Sequence, residues 1–224
     1  MTKQTIAVVG GTGNLGAALA RRWAKAGRDV IIGSRTADKA REAADRLGGE
    51  LGIHIRAAAN LEAAQAADIV VITVPFASQQ GVLEDIRSAL AGKIVIDTTV
   101  PLMPPKVARV QLPPEGSAAQ RAQNLLGEDV RLVSAFHNVA AHKLATDQIV
   151  DCDVLVFGDD KPARAVAVEL ADCAGLRGLH AGVLANAAAA EALTSILIFI
   201  NKNYKVDGAG IRITGALDIS AAAD

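Results

Sequence analysis

The feature that most constrains the fold is a glycine-rich segment near the N-terminus, residues 10–16, with the sequence Gly-Gly-Thr-Gly-Asn-Leu-Gly. It follows the apolar run Ile6–Val9 and precedes an Ala- and Leu-rich stretch with helical periodicity. Gly11, Gly13 and Gly16 match the Gly-x-Gly-x-x-Gly pattern of a strand-turn-helix unit that binds a dinucleotide. In such a unit the glycines allow, in turn, a tight turn, close approach of a pyrophosphate and close packing of the helix. The segment therefore predicts a nucleotide site at the N-terminus of the first helix.

The residues at the end of the second predicted strand favour a phosphorylated cofactor. An NAD site places an acidic side chain there to bind the ribose 2′-hydroxyl, whereas this chain has Gly33-Ser34-Arg35. A hydroxyl and a guanidinium can donate hydrogen bonds to a 2′-phosphate, which a carboxylate would repel. Lys39 follows Arg35 by one helical turn, so both cations can reach the same phosphate. The sequence therefore predicts NADP(H) rather than NAD(H).

The chain alternates short β-branched runs with Ala-rich helical stretches, which is typical of a parallel sheet covered on both faces. Strands are predicted at Thr5–Val9, Val30–Gly33, Ile53–Ala57, Ile69–Thr73, Ile94–Asp97, Leu132–Ala135, Val154–Phe157 and, at the end of the chain, Gly210–Ile213. Helices are predicted at Leu15–Ala26, Ala37–Leu47, Leu61–Ala66, Gln79–Leu90, Ala163–Ala174 and Leu184–Tyr204. We expect an α/β fold: a Rossmann-type doubly wound parallel sheet with a small C-terminal α/β extension.

The 224 residues are predicted to form two units. Residues 1–158 would be the NADP-binding Rossmann domain. The following residues, Asp159-Asp160-Lys161-Pro162, are typical of a capped helix start. Residues 159–224 are too few for an independent catalytic domain, so we expect them to complete the cofactor cleft and to supply a subunit contact.

A proline-rich stretch follows the predicted strand that ends at Asp97. It cannot be regular helix or inner strand, because it holds five of the seven prolines of the chain, namely Pro101, Pro104, Pro105, Pro113 and Pro114. Ligands of open parallel sheets bind at the carboxyl ends of the strands, so this loop is interpreted as a wall of the active site. A passive connection is the alternative.

Composition limits the classes of partner. The formal net charge is −1, from 23 basic and 24 acidic residues, so no chain-wide field would attract nucleic acid or an anionic membrane. The only cysteines, Cys152 and Cys173, lack metal-site spacing, and no metal is expected. Met1 leads directly into a strand without a leader, and the apolar stretch around residues 196–200 is too short to span a bilayer. We expect a soluble cytoplasmic protein.

One face of the last helix is apolar at helical spacing. It consists of Leu193, Ile196, Leu197 and Ile200. Core packing and dimerisation both explain such a face, and the small C-terminal unit favours a subunit interface. A homodimer or larger homo-oligomer is therefore expected.

Four segments together resemble the coenzyme F420-dependent NADP reductases, and the similarity extends over almost the whole chain. They are Gly-Gly-Thr-Gly-Asn-Leu-Gly at 10–16, Gly-Ser-Arg at 33–35, Ala-Phe-His-Asn at 135–138 and Gly-Ile-Arg-Ile-Thr-Gly at 210–215. The resemblance implies reversible hydride transfer between reduced coenzyme F420, an 8-hydroxy-5-deazaflavin, and NADP⁺. It also implies an oligomer.

The resemblance also implies site residues. NADP would be bound by Thr12, Gly13, Asn14, Leu15, Ser34, Arg35 and Lys39. Its nicotinamide half would lie along Val74, Val100 and Ala141, and the segment around Ala209 would touch the deazaflavin. The phosphate and carboxylates of the F420 tail would meet cations near the cleft mouth, for which the candidates are Lys202, Lys205 and Arg212, although solvated surface charges are the alternative.

Three polar residues of the C-terminal half have open roles. His137 follows the predicted strand Leu132–Ala135 and could orient the nicotinamide amide or the deazaflavin carbonyl, or could be a structural histidine. Glu191 and Thr194 could be site groups or interface contacts.

Two other functions are compatible with the same sheet. One is an NADPH-dependent reductase of a free flavin or of a small carbonyl or imine substrate. The other is a non-catalytic NADPH-sensing protein, which would keep the glycine-rich turn but need no second planar ligand.

Overall fold

The β-branched runs form one eight-stranded sheet in the computed structural model, which describes residues 4–218. The strands are β1 (Thr5–Val9), β2 (Asp29–Ser34), β3 (Arg56–Ala59), β4 (Ile69–Ile72), β5 (Ile94–Asp97), β6 (Arg131–Ser134), β7 (Asp153–Gly158) and β8 (Arg177–His180). Their order across the sheet is β3-β2-β1-β4-β5-β6-β7-β8. Strands β1 to β6 are parallel, β7 runs antiparallel to β6, and β8 pairs in parallel with β7. The order reverses between β1 and β4, which is where open sheets of this kind bind nucleotides.

Helices connect the strands. They are α1 (Asn14–Lys25), α2 (Ala37–Leu51), α3 (Asn60–Gln65), α4 (Phe76–Ile86), α5 (Ala118–Leu126), α6 (Ala141–Leu144), α7 (Lys161–Cys173) and α8 (Ala187–Tyr204). Short 3₁₀ turns follow α4 at Arg87–Ala89 and precede α8 at Leu184–Asn186. Helices α5 and α7 begin at side-chain caps: Ser117 Oγ accepts from the Gln120 N–H, and Asp160 Oδ1 accepts from the Ala163 N–H.

The central strands are buried on both faces. In β1, Ile6 and Val8 belong to the core cluster that contains α1, α2 and α7, while Val9 belongs to the cluster that contains α4, α5 and the start of α8. Because successive side chains of a strand point to opposite faces, the helices form a layer on each side of the sheet. The predicted α/β fold is therefore confirmed.

The boundary between α2 and β3 differs from the prediction. Helix α2 continues beyond Leu47 to Leu51 and ends at Gly52, whose φ of 69° closes the helix in the left-handed conformation. The glycine at position 48 permits the continuation, because a Cβ there would lie 2.6 Å from the Ile53 carbonyl oxygen. Strand β3 consequently begins at Arg56, not at Ile53.

Three short elements were missed from the sequence, and one strand was predicted wrongly. Helices α5 and α6 and strand β8 were not predicted, because each is short and its apolar pattern is weak. The strand predicted at Gly210–Ile213 was wrong: these residues have no regular secondary structure, although Ile211 O accepts a hydrogen bond from the Asp153 N–H. The division at residue 158 stays a prediction, and β8 extends the same sheet.

One helical stretch meets the criterion for a membrane span by length and composition alone. It is Leu184–Tyr204, with a mean hydropathy of 1.5. Within it, Ala187 and Ala190 pack in the core, and Glu191 is buried against α5. A core helix passes the same test, so the criterion by itself is a weak indication.

Candidate active site

The glycine-rich turn joins β1 to α1 at the switch point of the sheet. Gly10 has a φ of 77°, and a Cβ there would lie 2.7 Å from Val74 Cγ1. The Gly11 N–H donates to Val8 O at 3.1 Å and to Gly33 O at 2.9 Å, which ties the turn to β2. The tight turn was predicted at Gly11, but Gly10 makes it, because Gly10 alone in the turn has the left-handed backbone that excludes most side chains. Gly11 is constrained differently: its Cβ would lie 2.8 Å from Val8 O.

The first turn of α1 lies close to the sheet because Gly16 has no side chain. A Cβ at Gly16 would collide with Thr73 Oγ1 and would lie 2.9 Å from Gly10 O. Thr73 Oγ1 itself donates to Val9 O at 2.8 Å. Close packing of helix on strand at this position brings the N-terminus of α1 to the carboxyl end of β1.

The N-terminus of α1 fits an anionic ligand. Its N-cap, Gly13, is extended (φ −78°, ψ 165°), and no side chain accepts a hydrogen bond from the first turn. Thr12, Gly13 and Asn14 are exposed, and Leu15 is half-buried. Free N–H groups and the helix dipole make such an end a site for phosphate.

A cavity of about 250 Å³ brings the turn together with the ends of β2 and β4. Among its lining residues are Gly10, Thr12, Gly13, Ser34, Arg35, Asn60, Val74 and Ser78. Ser34 is buried, whereas the Arg35 side chain is exposed. Lys39 is also exposed and lies in the first turn of α2, whereas Arg35 precedes that helix. The structure thus places the hydroxyl and guanidinium expected for a 2′-phosphate beside the glycine-rich turn.

Asn60 is a lining residue that sequence reasoning missed. It begins α3 directly after β3, and its Oδ1 accepts a hydrogen bond from the Gly10 N–H at 3.4 Å. The same oxygen would lie 3.1 Å from a Cβ at Gly33. The available signal was an asparagine at the carboxyl end of a parallel strand, where site residues of open sheets lie.

A larger cavity of about 550 Å³ runs between α1, α2 and α6. It is lined by Thr12, Gly13 and Asn14 from the turn and by Ala141 and His142 from α6. The glycine-rich turn and Ala141 therefore border one space, which Ser34, Arg35 and Val74 do not line. Val100 is half-buried, three residues after β5.

His137 is held in a buried position by an unusual backbone. Phe136 before it has a φ of 64°, is fully buried and packs edge-on against Trp23. Such a conformation is strained in a bulky residue and persists only where the surroundings enforce it. His137 is 7% exposed, and its Nε2 lies 2.7 Å from Ser134 Oγ, with which it shares a hydrogen bond. Burial lowers the pKa of His137 to about 4, so the imidazole is neutral at physiological pH.

A cavity of about 350 Å³ joins His137 to the C-terminal segment. Its lining includes His137, Asn138, His142, Thr194 and Ala209. His142 also lines the 550 Å³ cavity, so the two spaces are adjacent. The structure thus brings His137 and Ala209, which lie 72 positions apart in the sequence, to one space beside a cavity that the glycine-rich turn also lines.

Hydrogen bonds of Asn138 and Thr194 link the segment after β6, which lines this cavity, to α8. Asn138 Nδ2 donates to Ala190 O at 3.0 Å and to Thr194 Oγ1 at 2.9 Å. Thr194 Oγ1 in turn donates to His137 O at 3.1 Å. Asn138 was not singled out from the sequence, because an asparagine after a strand is common in turns.

Two buried carboxylates, Asp97 and Glu191, lie near the carboxyl end of β5, of which Asp97 is the last residue. Glu191 accepts from the Ala118 N–H at 2.6 Å and the Ala119 N–H at 3.0 Å, and Gln79 Nε2 donates to Asp97 Oδ2 at 2.5 Å. Burial raises the pKa of Glu191 to about 7 and also raises the pKa of Asp97. Glu191 was considered as a site group or an interface contact, and the structure shows a different role within the chain: it caps the first turn of α5.

The proline-rich loop and the three basic candidates lie in the following surroundings. The loop residues Met103, Leu112 and Pro113 line a groove of about 470 Å³ that contains none of the predicted site residues. Lys202 and Lys205 are exposed. Arg212, the third candidate for the tail, is paired with Asp151 at 2.6 Å.

Comparison with known proteins identifies the family. The model of a family described as "NADP oxidoreductase coenzyme F420-dependent" matches residues 5–101. An F420-dependent NADP reductase of Methanothermobacter thermautotrophicus is 44% identical over 218 residues, which cover 93% of this chain and 94% of the relative. The F420-dependent NADP reductase of Methanocaldococcus jannaschii is 41% identical, with 93% and 97% covered.

A solved structure agrees with these relatives. The crystal structure of a candidate F420-dependent NADP reductase from Arthrobacter sp. FB24 matches with a TM-score of 0.78 at 26% identity, and covers 95% of this chain and 100% of that chain. The similarity thus extends over most of the chain. The chain belongs to the family of F420-dependent NADP reductases.

Proposed function

We propose that this protein transfers a hydride reversibly between reduced coenzyme F420 and NADP⁺. The observation that carries the proposal is the extent of the match to the F420-dependent NADP reductases, which covers 93% of the chain. A match of that extent reaches well beyond the first half of the chain, which holds the glycine-rich turn. A relationship limited to the first half would support NADP binding alone.

NADP(H) is bound at the carboxyl ends of β1, β2 and β4 in this proposal. The first turn of α1 binds the pyrophosphate, since no side chain caps its N–H groups, and the glycines at 11, 13 and 16 let the phosphates approach the backbone. Ser34, Arg35 and Lys39 bind the 2′-phosphate, and the charged donors supply most of the discrimination against NAD(H). Val74, Val100 and Ala141 border the nicotinamide half.

The second substrate occupies the cavity that His137 and Ala209 line. The deazaflavin supplies the hydride chemistry when bound, so no protein side chain has to act as an acid or a base. The protein holds the two reacting rings face to face and excludes water. His137 is neutral and hydrogen-bonded to Ser134, so it serves to orient a carbonyl or amide group, not to carry charge. Lys202 and Lys205 remain the candidates for the anionic tail.

The remaining expectations concern the whole protein. Residues 1–158 form the NADP-binding domain in this proposal, and residues 159–224 complete the cleft and the subunit interface. Residues 219–224 lie outside the described part of the chain. We propose a soluble, cytoplasmic homodimer or larger homo-oligomer that binds neither nucleic acid nor membrane.

The test follows a deuterium label from C5 of reduced coenzyme F420 during reduction of NADP⁺. Direct transfer in a water-excluded cleft places the label at C4 of the nicotinamide without loss to solvent. Mass spectrometry of the NADPH formed measures the retained label, and a reaction run in D₂O with unlabelled F420 is the control. Washout of the label, or rapid reduction of free flavin without turnover of F420, would contradict the proposal.

A further inference from the structure

The C-terminal segment 206–213, named here the strap, forms part of the wall of the His137 cavity. Val206, Asp207, Gly208 and Ala209 line that cavity together with His137. The strap has no regular secondary structure, so no helix or strand ladder holds it in place. Its position depends on individual contacts at its two ends.

The near end of the strap is fastened to α6 and α8. Asp207 Oδ1 lies 2.8 Å from His142 Nε2, and the Ala209 N–H donates to Asn201 Oδ1 at 2.7 Å. Gly208 has a φ of 70°, and a Cβ there would lie 2.6 Å from Ala140 Cβ. The His142–Asp207 pair is exposed, and exposed ion pairs contribute little to the stability of a fold.

The far end of the strap is fastened to the beginning of β7. The Asp153 N–H donates to Ile211 O at 2.8 Å, and the Ile213 N–H donates to Asp153 Oδ2 at 2.6 Å. Arg177 Nη2 donates to Ile213 O at 3.1 Å. A Cβ at Gly210 would lie 2.8 Å from Cys152 Sγ, so the backbone of the strap lies directly on this strand.

Asp153 is fully buried and is compensated by a two-point ion pair. Arg177 Nε donates to Asp153 Oδ1 at 2.7 Å, and Arg177 Nη2 donates to Oδ2 at 2.6 Å. Burial opposes ionisation of Asp153, but the hydrogen bonds from Arg177 and from the Ile213 N–H outweigh it and lower the pKa of Asp153. The Asp153 side chain is fully buried, whereas the Arg177 side chain is 28% exposed. Two parallel hydrogen bonds to a buried carboxylate resist rearrangement more than one contact between exposed side chains.

We propose that Asp153 and Arg177 are positioning residues for the second substrate: they hold the strap so that Gly208 and Ala209 remain in the wall of the cavity that His137 lines. This inference rests on the proposed function, because it takes that cavity as the deazaflavin site. Neither side chain lines the cavity itself, so both act through the strap. The dinucleotide site is formed by other elements and is independent of this pair.

The test compares Arg177→Met with Arg56→Met. Arg56 is the matched control. It lies on β3, at the other edge of the sheet, and pairs with Asp29 of β2 at 3.2 Å. Both side chains are partly exposed. Hydrogen exchange of peptides from 206–213 is measured without substrate, and the KM for reduced F420, the kcat and the Kd for NADP(H) are measured separately. For Arg177→Met we expect exchange and KM to rise about tenfold or more, with the Kd for NADP(H) unchanged within about twofold. Arg56→Met should change none of these quantities.

A second variant is used because loss of Arg177 leaves a buried charge and can unfold the chain. Gly210→Val should displace the strap by its clash with Cys152 while the Asp153–Arg177 pair remains, and we expect the same rise in exchange and in KM. Unchanged exchange in both variants, or faster exchange with an unchanged KM for F420, would overturn the inference alone. Failure of the wild-type protein to turn over reduced F420 would overturn the proposed function, and the inference with it.

Discussion

Arg35 is the residue on which the cofactor preference depends most. It lies at the end of β2 in the cavity of the glycine-rich turn, and no hydrogen bond or ion pair to another side chain within residues 4–218 holds its guanidinium. We expect Arg35→Ala to reduce the preference for NADP(H) over NAD(H) about tenfold or more, since a charge-assisted hydrogen bond contributes about 1.5–3 kcal/mol. Titration calorimetry with both cofactors measures the ratio of the two affinities.

Arg41→Ala is the control for this prediction. Arg41 lies six positions after Arg35, on α2, is exposed, and pairs with Asp38 at 3.0 Å. Its loss should leave the ratio of the two affinities unchanged. Equal affinities of the wild-type protein for NADP(H) and NAD(H), or an unaltered ratio in Arg35→Ala, would contradict the assignment of Ser34 and Arg35.

His137 is expected to affect turnover without titrating in the working pH range. We expect His137→Ala to lower kcat/KM about tenfold to a hundredfold, equivalent to about 1.4–2.7 kcal/mol, because it removes one orienting hydrogen bond. The pKa of His137 is about 4, so the pH profile of kcat/KM should show no inflection from this residue between about pH 5.5 and 8. Steady-state kinetics across that range tests both statements. Loss of folding in His137→Ala, seen by circular dichroism, would instead mark a structural residue.

At the scale of elements, Glu191 joins the last helix to α5 and makes stability depend on pH. Its pKa rises from 4.5 to about 7 on folding, so the folded chain binds a proton more readily than the unfolded chain. This contribution is fully present below about pH 4.5 and is lost as the pH rises through 7. Between pH 5 and 8 the wild-type protein should therefore lose stability relative to Glu191→Gln, by about 3 kcal/mol at most.

Chemical denaturation at a series of pH values measures this difference. Glu84→Gln is the control, because Glu84 is exposed and accepts a hydrogen bond only from the Gln80 side chain on the same helix. Its stability difference from wild type should stay constant across the range. If the stability difference between wild type and Glu191→Gln is equally constant from pH 5 to 8, Glu191 is ionised over that whole range and the prediction is wrong.

At the scale of the whole molecule, the predicted apolar face of α8 requires a correction. Leu197 is only 7% exposed and packs within its own chain, whereas Ile196 and Phe199 are 47% and 55% exposed. The four residues taken together from the sequence therefore do not form one exposed face. If α8 forms the proposed subunit contact, Ile196 and Phe199 are the side chains that make it.

We expect the double variant Ile196→Glu/Phe199→Glu to dissociate the oligomer, because it would bury unpaired carboxylates in an apolar contact. Light scattering at micromolar concentration measures the mass, and Ile53→Glu, at another exposed apolar position, is the control. A wild-type mass of 23.0 kDa, that of one chain, would oppose the proposal. Leu197→Glu is unsuitable, since it would destabilise the chain itself.

The sequence by itself determined the architecture of the first half of the chain. Strands β1 and β5 have the predicted bounds, and the glycine-rich turn and the Gly33-Ser34-Arg35 segment lie at adjoining strand ends. These features are local: β-branched runs that must be buried on both faces form inner parallel strands, and a glycine turn between strand and helix has few alternative conformations. The glycine that makes the turn was identified only by the structure: Gly10 has the left-handed backbone, and Val74, just after β4, leaves no room for a Cβ there.

Only the tertiary structure decided which side chains of the second half act together. His137 meets Ala209 through a strap without regular structure, Asn60 reaches Gly10 across 50 positions, and Glu191 caps a helix 72 positions away. Asn60 and Glu191 join distant segments through one or two polar atoms, and His137 and Ala209 share only a cavity, so none of these relations leaves a periodic pattern in the chain. Polar residues such as Asp153 and Arg177 suit a surface as well as a buried pair when they are considered singly. Their burial, and with it their energetic weight, is set by what the folded chain packs around them.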